Sequence, residues 1–318
     1  MRRRSALTTL LLAPAAAHAQ PYPSRPIRLI IPYPPGGGTD ALARPWAERM
    51  RLRLGQPLVI ENRGGAATNI GMEMAARATP DGQTLIINAD NVALFPHLYK
   101  RLSYDLFRDF APITYLAQSP LVLGINPNLP ARNLRDFVAL LRREPERYSF
   151  ANPSIGSPHH LGFELFARDA GVRMIQVEYR GGGPALNDVL AGHVQLGVFS
   201  LGAVSSHFAA GTLRPLALLS PARSAAAPEI PTTAEEGLPG VVNALRFLLF
   251  APAGTPRPII ETLHAATLET LAEPALREQL TRAGFDIMTT TPEQTMAMLR
   301  AENERWAPIL PGLNIRLD

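Results

Sequence analysis

The sequence predicts an α/β fold built on parallel-type sheets with flanking helices. Two observations carry this: short apolar runs alternate with stretches of helical periodicity, and Pro/Gly-rich turns separate them. A strand is expected over 27–31, ended by prolines, followed by the sharp turn Pro34-Pro35-Gly36-Gly37-Gly38 and a helix over 39–54. Next come a strand over 58–61, a helix over 70–78 and, after the Pro80-Asp81-Gly82 turn, a strand over 84–88. In the middle, helices over 134–143, 158–170, 184–191 and 203–210 alternate with strands over 148–151, 174–179, 195–199 and 215–219. An apolar extended run over 247–251 leads into helices over 256–271, 274–283 and 292–306. Pro158, Pro184, Pro256, Pro274 and Pro292 sit at expected helix starts, where the missing N–H goes unused. They punctuate the fold and leave sharply defined helix N-termini with unpaired N–H groups.

The chain has 318 residues, 46% of them hydrophobic, enough for two domains with separate cores. There is no cysteine, so disulfides, thiolate metal ligands and thiol nucleophiles are excluded. Arg2-Arg3-Arg4, an apolar stretch over 6–17 and Ala17-His18-Ala19 before Gln20 follow the order of an export leader, with cleavage expected after Ala19. The stretch is too short to span a bilayer, which needs about 20 apolar residues. Three of the chain's basic residues fall in that leader, so the mature protein is nearly neutral. No Lys/Arg block survives in it to bind nucleic acid.

Three strand–turn–helix junctions are candidate ligand loops. In Pro35-Gly36-Gly37-Gly38-Thr39-Asp40, glycines let backbone amides approach an anion at a helix N-terminus. The structural alternative is a tight turn capped by Thr39 or Asp40. The loop lacks the Gly-Lys-Ser/Thr ending of a nucleotide-phosphate loop. The second junction holds Ser154-Ile155-Gly156-Ser157 and His160. Ser157 before Pro158 reads as a helix cap; as a nucleophile it lacks the Gly-x-Ser-x-Gly elbow. His159 and His160 are adjacent and point apart, unlike a metal-binding helical pair. The third junction is Tyr179-Arg180-Gly181-Gly182, where Arg180 either pairs with a carboxylate or is solvated. Open α/β sheets bind ligands at the strand ends where such loops lie.

The chain resembles the solute receptors of tripartite tricarboxylate transporters, the Bug proteins. The resemblance rests on Arg25-Pro26-Ile27, the run from Pro34 to Arg44, Glu61-Asn62-Arg63, Asn69-Ile70-Gly71 and Pro80-Asp81-Gly82. It continues through Gly156-Ser157, His160-Leu161, Pro231-Thr232, Ala234-Glu235 and the run from Ala251 to Pro256. It implies a two-lobed periplasmic binding protein fold with a hinge crossed twice: lobe one over 21–122 and 247–318, lobe two over 123–246. It further implies that a ligand carboxylate is held by the first glycine loop, Pro35 to Asp40. Asn88, Ala89 and Asp90 after the third strand, Ser154 to Ser157, His160, Tyr179 to Gly182, and Ser200 complete the cleft. Ser154 stands where glycine is usual, Ser200 where many members carry Asp or Asn, and Arg246 and Leu248 where Trp and Gly are common. An uncharged position 200 argues against an ammonium-bearing ligand such as an amino acid.

The function implied is capture of a di-, tri- or aromatic carboxylate by a monomeric periplasmic protein, without cofactor or metal, for presentation to membrane transporter subunits. Delivery of the ligand state to a sensor kinase is the first alternative. An exported serine hydrolase using Ser157 and His160 is a remote second, since no triad motif or catalytic carboxylate pair is present.

Overall fold

A computed structural model describes residues 22–313, Ile315 and Leu317; the expected leader lies outside the described residues. The first half runs β1 (Ile27–Ile31), α1 (Gly38–Leu54), β2 (Leu58–Asn62), α2 (Asn69–Ala76), β3 (Thr84–Ala89), α3 (Phe95–Leu98), α4 (Leu106–Asp109) and the long β4 (Phe110–Ile125). The middle comprises α5 (Leu134–Arg143), β5 (Ser149–Asn152), α6 (Pro158–Ala170), β6 (Ile175–Glu178), α7 (Gly182–Ala191), β7 (Leu196–Ser200), α8 (Leu201–Ala209) and β8 (Arg214–Leu218). The chain closes with β9 (Ala244–Pro252), α9 (Arg257–Leu271), α10 (Pro274–Arg282), β10 (Asp286–Ile287), α11 (Pro292–Trp306) and α12 (Leu310–Leu313). Among the described residues, no helix is long and apolar enough to cross a membrane.

The strands follow the order β2-β1-β3-β9-β4-β7-β5-β6, with β8 and β10 also on β4. Two parallel groups lie at the ends: β2, β1 and β3 pair in parallel, as do β7, β5 and β6. Between them β4 and β9 are antiparallel to their neighbours. β4 pairs with β9 as far as Pro120 opposite Ala244, then from Leu121 onward with β7 on one side, and from Val122 with β8 on the other. One strand thus serves both lobes. It went unread in the sequence because Pro112 and Pro120 look like breakers. Pro112 sits at a register shift, and Pro120 sits where β4 changes partners.

Alternating side chains divide the first lobe into two cores. Leu29 and Ile31 of β1 pack with Leu42, Trp46 and Met50 of α1 and with Leu263 of α9, whereas Ile30 faces Ile86, Leu248, Phe250 and Trp306. The latter cluster continues into the second lobe through Leu121 and Leu123 to Phe150, Phe163 and Phe166. A third cluster joins Val122 to Val189 of α7, Val204 of α8 and Leu218. Two groups of parallel strands with glycine loops at their ends, joined by the crossing strands β4 and β9, define a two-lobed periplasmic-binding-type architecture.

Candidate functional site

The helix α1 begins after an extended Gly37 (φ −82°, ψ 179°) that caps it without a side-chain bond. Neither Thr39 nor Asp40 acts as the cap. Gly36 supports the turn in the left-handed region (φ 85°), which glycine adopts without strain. The buried Asp40 carboxylate instead turns inward. Its Oδ2 accepts from the Gly36 amide (3.1 Å) and Arg44 Nε (2.6 Å), while Oδ1 accepts from Arg44 Nη2 (2.9 Å) and Asn62 Nδ2 (3.2 Å). Asn62 also donates to the Tyr33 carbonyl (3.1 Å), so this network fixes the loop from behind. The amide of Ala41 bonds the Gly37 carbonyl (3.0 Å), and the amides of Gly37, Gly38 and Thr39 have no partner among the described residues. Unpaired N–H groups at the positive end of a long helix suit an anion.

Burial pushes the Asp40 carboxyl up, but hydrogen bonds from Arg44, Gly36 and Asn62 outweigh it and hold it below the ordinary value of 3.8. A depressed folded-state pKa contributes stability that is present above 3.8 and is lost as pH falls through the lowered value. Asp40→Asn is expected to be less stable than the parent at pH 7 by roughly 1–3 kcal/mol, with the gap closing in strong acid. Denaturant titrations at pH 7 and pH 3 check this; a gap that widens on acidification contradicts the assignment.

The loop after β3 lies beside this one, because β1 and β3 are parallel neighbours. Asn88 is fully buried and internally satisfied: Oδ1 accepts from Tyr33 Oη (2.7 Å) and the Ala89 amide (2.8 Å), and Nδ2 donates to Thr68 Oγ1 (3.2 Å). Asn88 and Ala89 therefore hold the loop's shape and have spent their polar groups inside the protein. Asp90 accepts from Arg246 Nη1 (2.6 Å).

On the other lobe, the parallel arrangement of β5, β6 and β7 gathers the second and third junctions and Ser200 at one edge. Ser157 caps α6 by accepting from the His160 amide (3.3 Å). His160 is buried: Nδ1 accepts from the Gly156 amide (3.1 Å), and Nε2 lies 3.3 Å from Glu164 Oε1. Both ring nitrogens are engaged, so His160 props the loop from below. Neither ring nitrogen is free for a ligand, nor for serving Ser157 as a base. Burial pulls the neighbouring His159 down to about 4, so its ring is uncharged at neutral pH. The Ser154 amide bonds Asn152 Oδ1 (3.2 Å), and the Gly181 amide ties the third junction to the Pro153 carbonyl (2.9 Å). Ile155 is half-buried against the main core. Tyr179 Oη donates to Asp188 (2.6 Å); burial and that carboxylate push its hydroxyl up to about 12. Arg180 and Gly182 are exposed. Ser200 is half-buried at the start of α8 and makes no side-chain cap.

The two groups of loops meet where Asn91 Nδ2 donates to the Gly156 carbonyl (3.3 Å); the buried Asn91 Oδ1 has no partner in the protein. Tyr33, Asn62, Asn91 and Arg246 hydrogen-bond the candidate loops without being among the loop candidates themselves. Asn62 carried a signal in Glu61-Asn62-Arg63 and Arg246 in its departure from the family's common Trp; Tyr33 and Asn91 carried none. A groove of about 310 Å³ between α1 and β2, lined by Arg44, Glu48, Arg51 and Ile60, flanks the sheet's edge strand and adjoins the Asp40 network through Arg44.

Two lobes, loops at facing strand ends and free amides between them define the class of solute-binding receptors. A family model described as the tripartite tricarboxylate transporter family receptor, TctC, matches residues 42–315, and the chain belongs to this family. It is 36% identical over 305 residues to Protein BugT of Bordetella pertussis, covering 95% of this chain and 94% of that protein. Among solved structures, it is similar to R. palustris Rpa4515 with adipate (32% identity, TM-score 0.87, covering 93% of this chain and 99% of that one). It is also similar to MatC from Rhodopseudomonas palustris with bound malate (30% identity, TM-score 0.80, covering 90% and 98%).

Proposed function

We propose that this protein captures a small carboxylate between its lobes in the periplasm and presents it to the membrane subunits of a tripartite tricarboxylate-type transporter. The observation that carries this is the row of unpaired amides at Gly37, Gly38 and Thr39, held open by the buried Asp40 network. Pro35 and Gly36 shape that turn, and Asp40, Asn88, Ala89 and His160 position the loops. Ser154 to Ser157, Tyr179 to Gly182, and Ser200 form the opposing wall. Adipate and malate, bound by two related receptors, are both carboxylates and support this ligand class. The hinge falls where β4 leaves β9 at Pro120 and where β9 begins at Ala244. Closure about it would be stabilised by the ligand's higher affinity for the closed arrangement.

Thermal unfolding of the refolded, ligand-stripped protein against carboxylates, neutral sugars and amino acids tests the reading. A ligand at about 100 times its dissociation constant adds roughly 2.7 kcal/mol of stability. Upward shifts are expected with carboxylates alone. Shifts with sugars only, or none across a broad carboxylate panel, would rule it out.

A further inference from the structure

Where β3 ends, opposite Phe247, the next residue of β9 is Arg246. It stands at the lobe junction, paired across the sheet with Gln118 and two residues from the point where β4 changes partners. Its side chain is about one-fifth exposed and lies between two carboxylates, Asp90 (2.6 Å) and Glu302 of α11 (3.4 Å). Glu302 has its own donors, Arg305 Nη1 (3.2 Å) and Trp306 Nε1 (2.7 Å). Two acids and two arginines therefore balance, and Asp90 is the principal partner of Arg246. The pull of Asp90 outweighs burial and keeps the guanidinium charged.

A guanidinium carries five N–H donors in a fixed fork. Here Nη1 alone donates to a carboxylate, with the Tyr115 hydroxyl against the same group. The donors left over stand at the lobe junction beside Asp90, in the loop after β3 that neighbours the first glycine loop. A ligand that sealed the cleft without an acceptor here would bury them unpaired, whereas one with a second carboxylate would satisfy them. Sites built to hydrogen-bond a polar group reject analogues lacking it.

We infer that Arg246 is a specificity-determining residue: it receives the second carboxylate of a short dicarboxylate whose first carboxylate sits on the Gly37–Thr39 amides. This rests on the carboxylate-binding reading above. Asp90 and Glu302 act through it as positioning residues, setting the direction of the fork.

Calorimetric titration of succinate, glutarate and adipate against butanoate, pentanoate and hexanoate tests this. The parent protein is expected to favour at least one dicarboxylate over its monocarboxylate of equal length by roughly ten- to a hundredfold. Arg246→Gln should collapse that preference to about threefold or less while leaving monocarboxylate affinity unchanged, and Arg246→Lys should restore part of it. A loss of affinity for both classes alike would mark a merely structural role and overturn the inference, as would a preference that survives Arg246→Gln. Equal binding of both classes by the parent protein would overturn it while leaving the carboxylate reading standing. Binding of neither class, nor of any other carboxylate, would sink the carboxylate reading itself. If Arg246→Gln alone does not fold, the double variant Arg246→Gln with Asp90→Asn removes both partners together and gives the same readout.

Discussion

Gly37→Phe is expected to lower affinity for the protein's carboxylate ligand by at least roughly a hundredfold while leaving the fold intact. Loss of two amide bonds to a charged oxygen, at about 1.5 kcal/mol each, already amounts to that factor. The backbone at Gly37 is extended (φ −82°), a conformation open to any residue. A Cβ there meets only the Pro34 carbonyl oxygen, at 3.9 Å. The new ring therefore has room, and its room is the space in front of the amides. The neighbouring Gly36 provides the contrast. Its φ of 85° makes Gly36→Ala a backbone lesion, expected to cost about 1–2 kcal/mol of stability irrespective of ligand. Titration calorimetry and unfolding midpoints on both variants separate the two effects. Parent-like affinity in Gly37→Phe would move the binding site elsewhere.

The alternation of apolar runs and helices made the parallel groups legible, because a buried strand and an amphipathic helix each leave a local period in the sequence. Three glycine-bearing junctions were legible for the same local reason. The long strand β4 was not: its prolines carry the signal of a break, and only the pairing with β9, more than a hundred residues on, shows where they are tolerated. Side-chain direction was equally hidden. Asp40 and His160 stand in the first turns of α1 and α6, beside loops that read as binding sites, yet each spends its polar atoms on a loop amide and on neighbouring side chains. The pairing of Asp90 with Arg246 spans 156 positions and leaves no periodic trace. Local chemistry therefore located the site, while the partners that orient it were set by long-range packing.

Gly202→Val is expected to shift the lobes apart and weaken ligand binding by roughly tenfold or more without unfolding either lobe. Gly202 opens α8 in the second lobe, and a Cβ there would stand 1.9 Å from the carbonyl oxygen of Ala283 in the first. Reciprocally, a Cβ on Gly284 would lie 2.4 Å from Gly202 Cα, so two backbones touch with no side chain between them. Backbone atoms do not yield as flexible side chains do, and something larger must move. Ser119 Oγ donates to the Gly284 carbonyl (3.1 Å), which ties this contact to the crossing strand β4. Rotation about β4 and β9 relieves the clash at lower cost than disrupting the packing on either side of the contact, since α1, α9 and α10 pack in one cluster and α7 and α8 in another. A protein that reaches its closed arrangement only a tenth of the time binds about tenfold more weakly, with every cleft residue unchanged. Small-angle scattering should report a larger radius of gyration for Gly202→Val, and circular dichroism an unchanged helix content. An unchanged radius with parent-like affinity would mean that the Gly202–Gly284 contact plays no part in the ligand-bound arrangement.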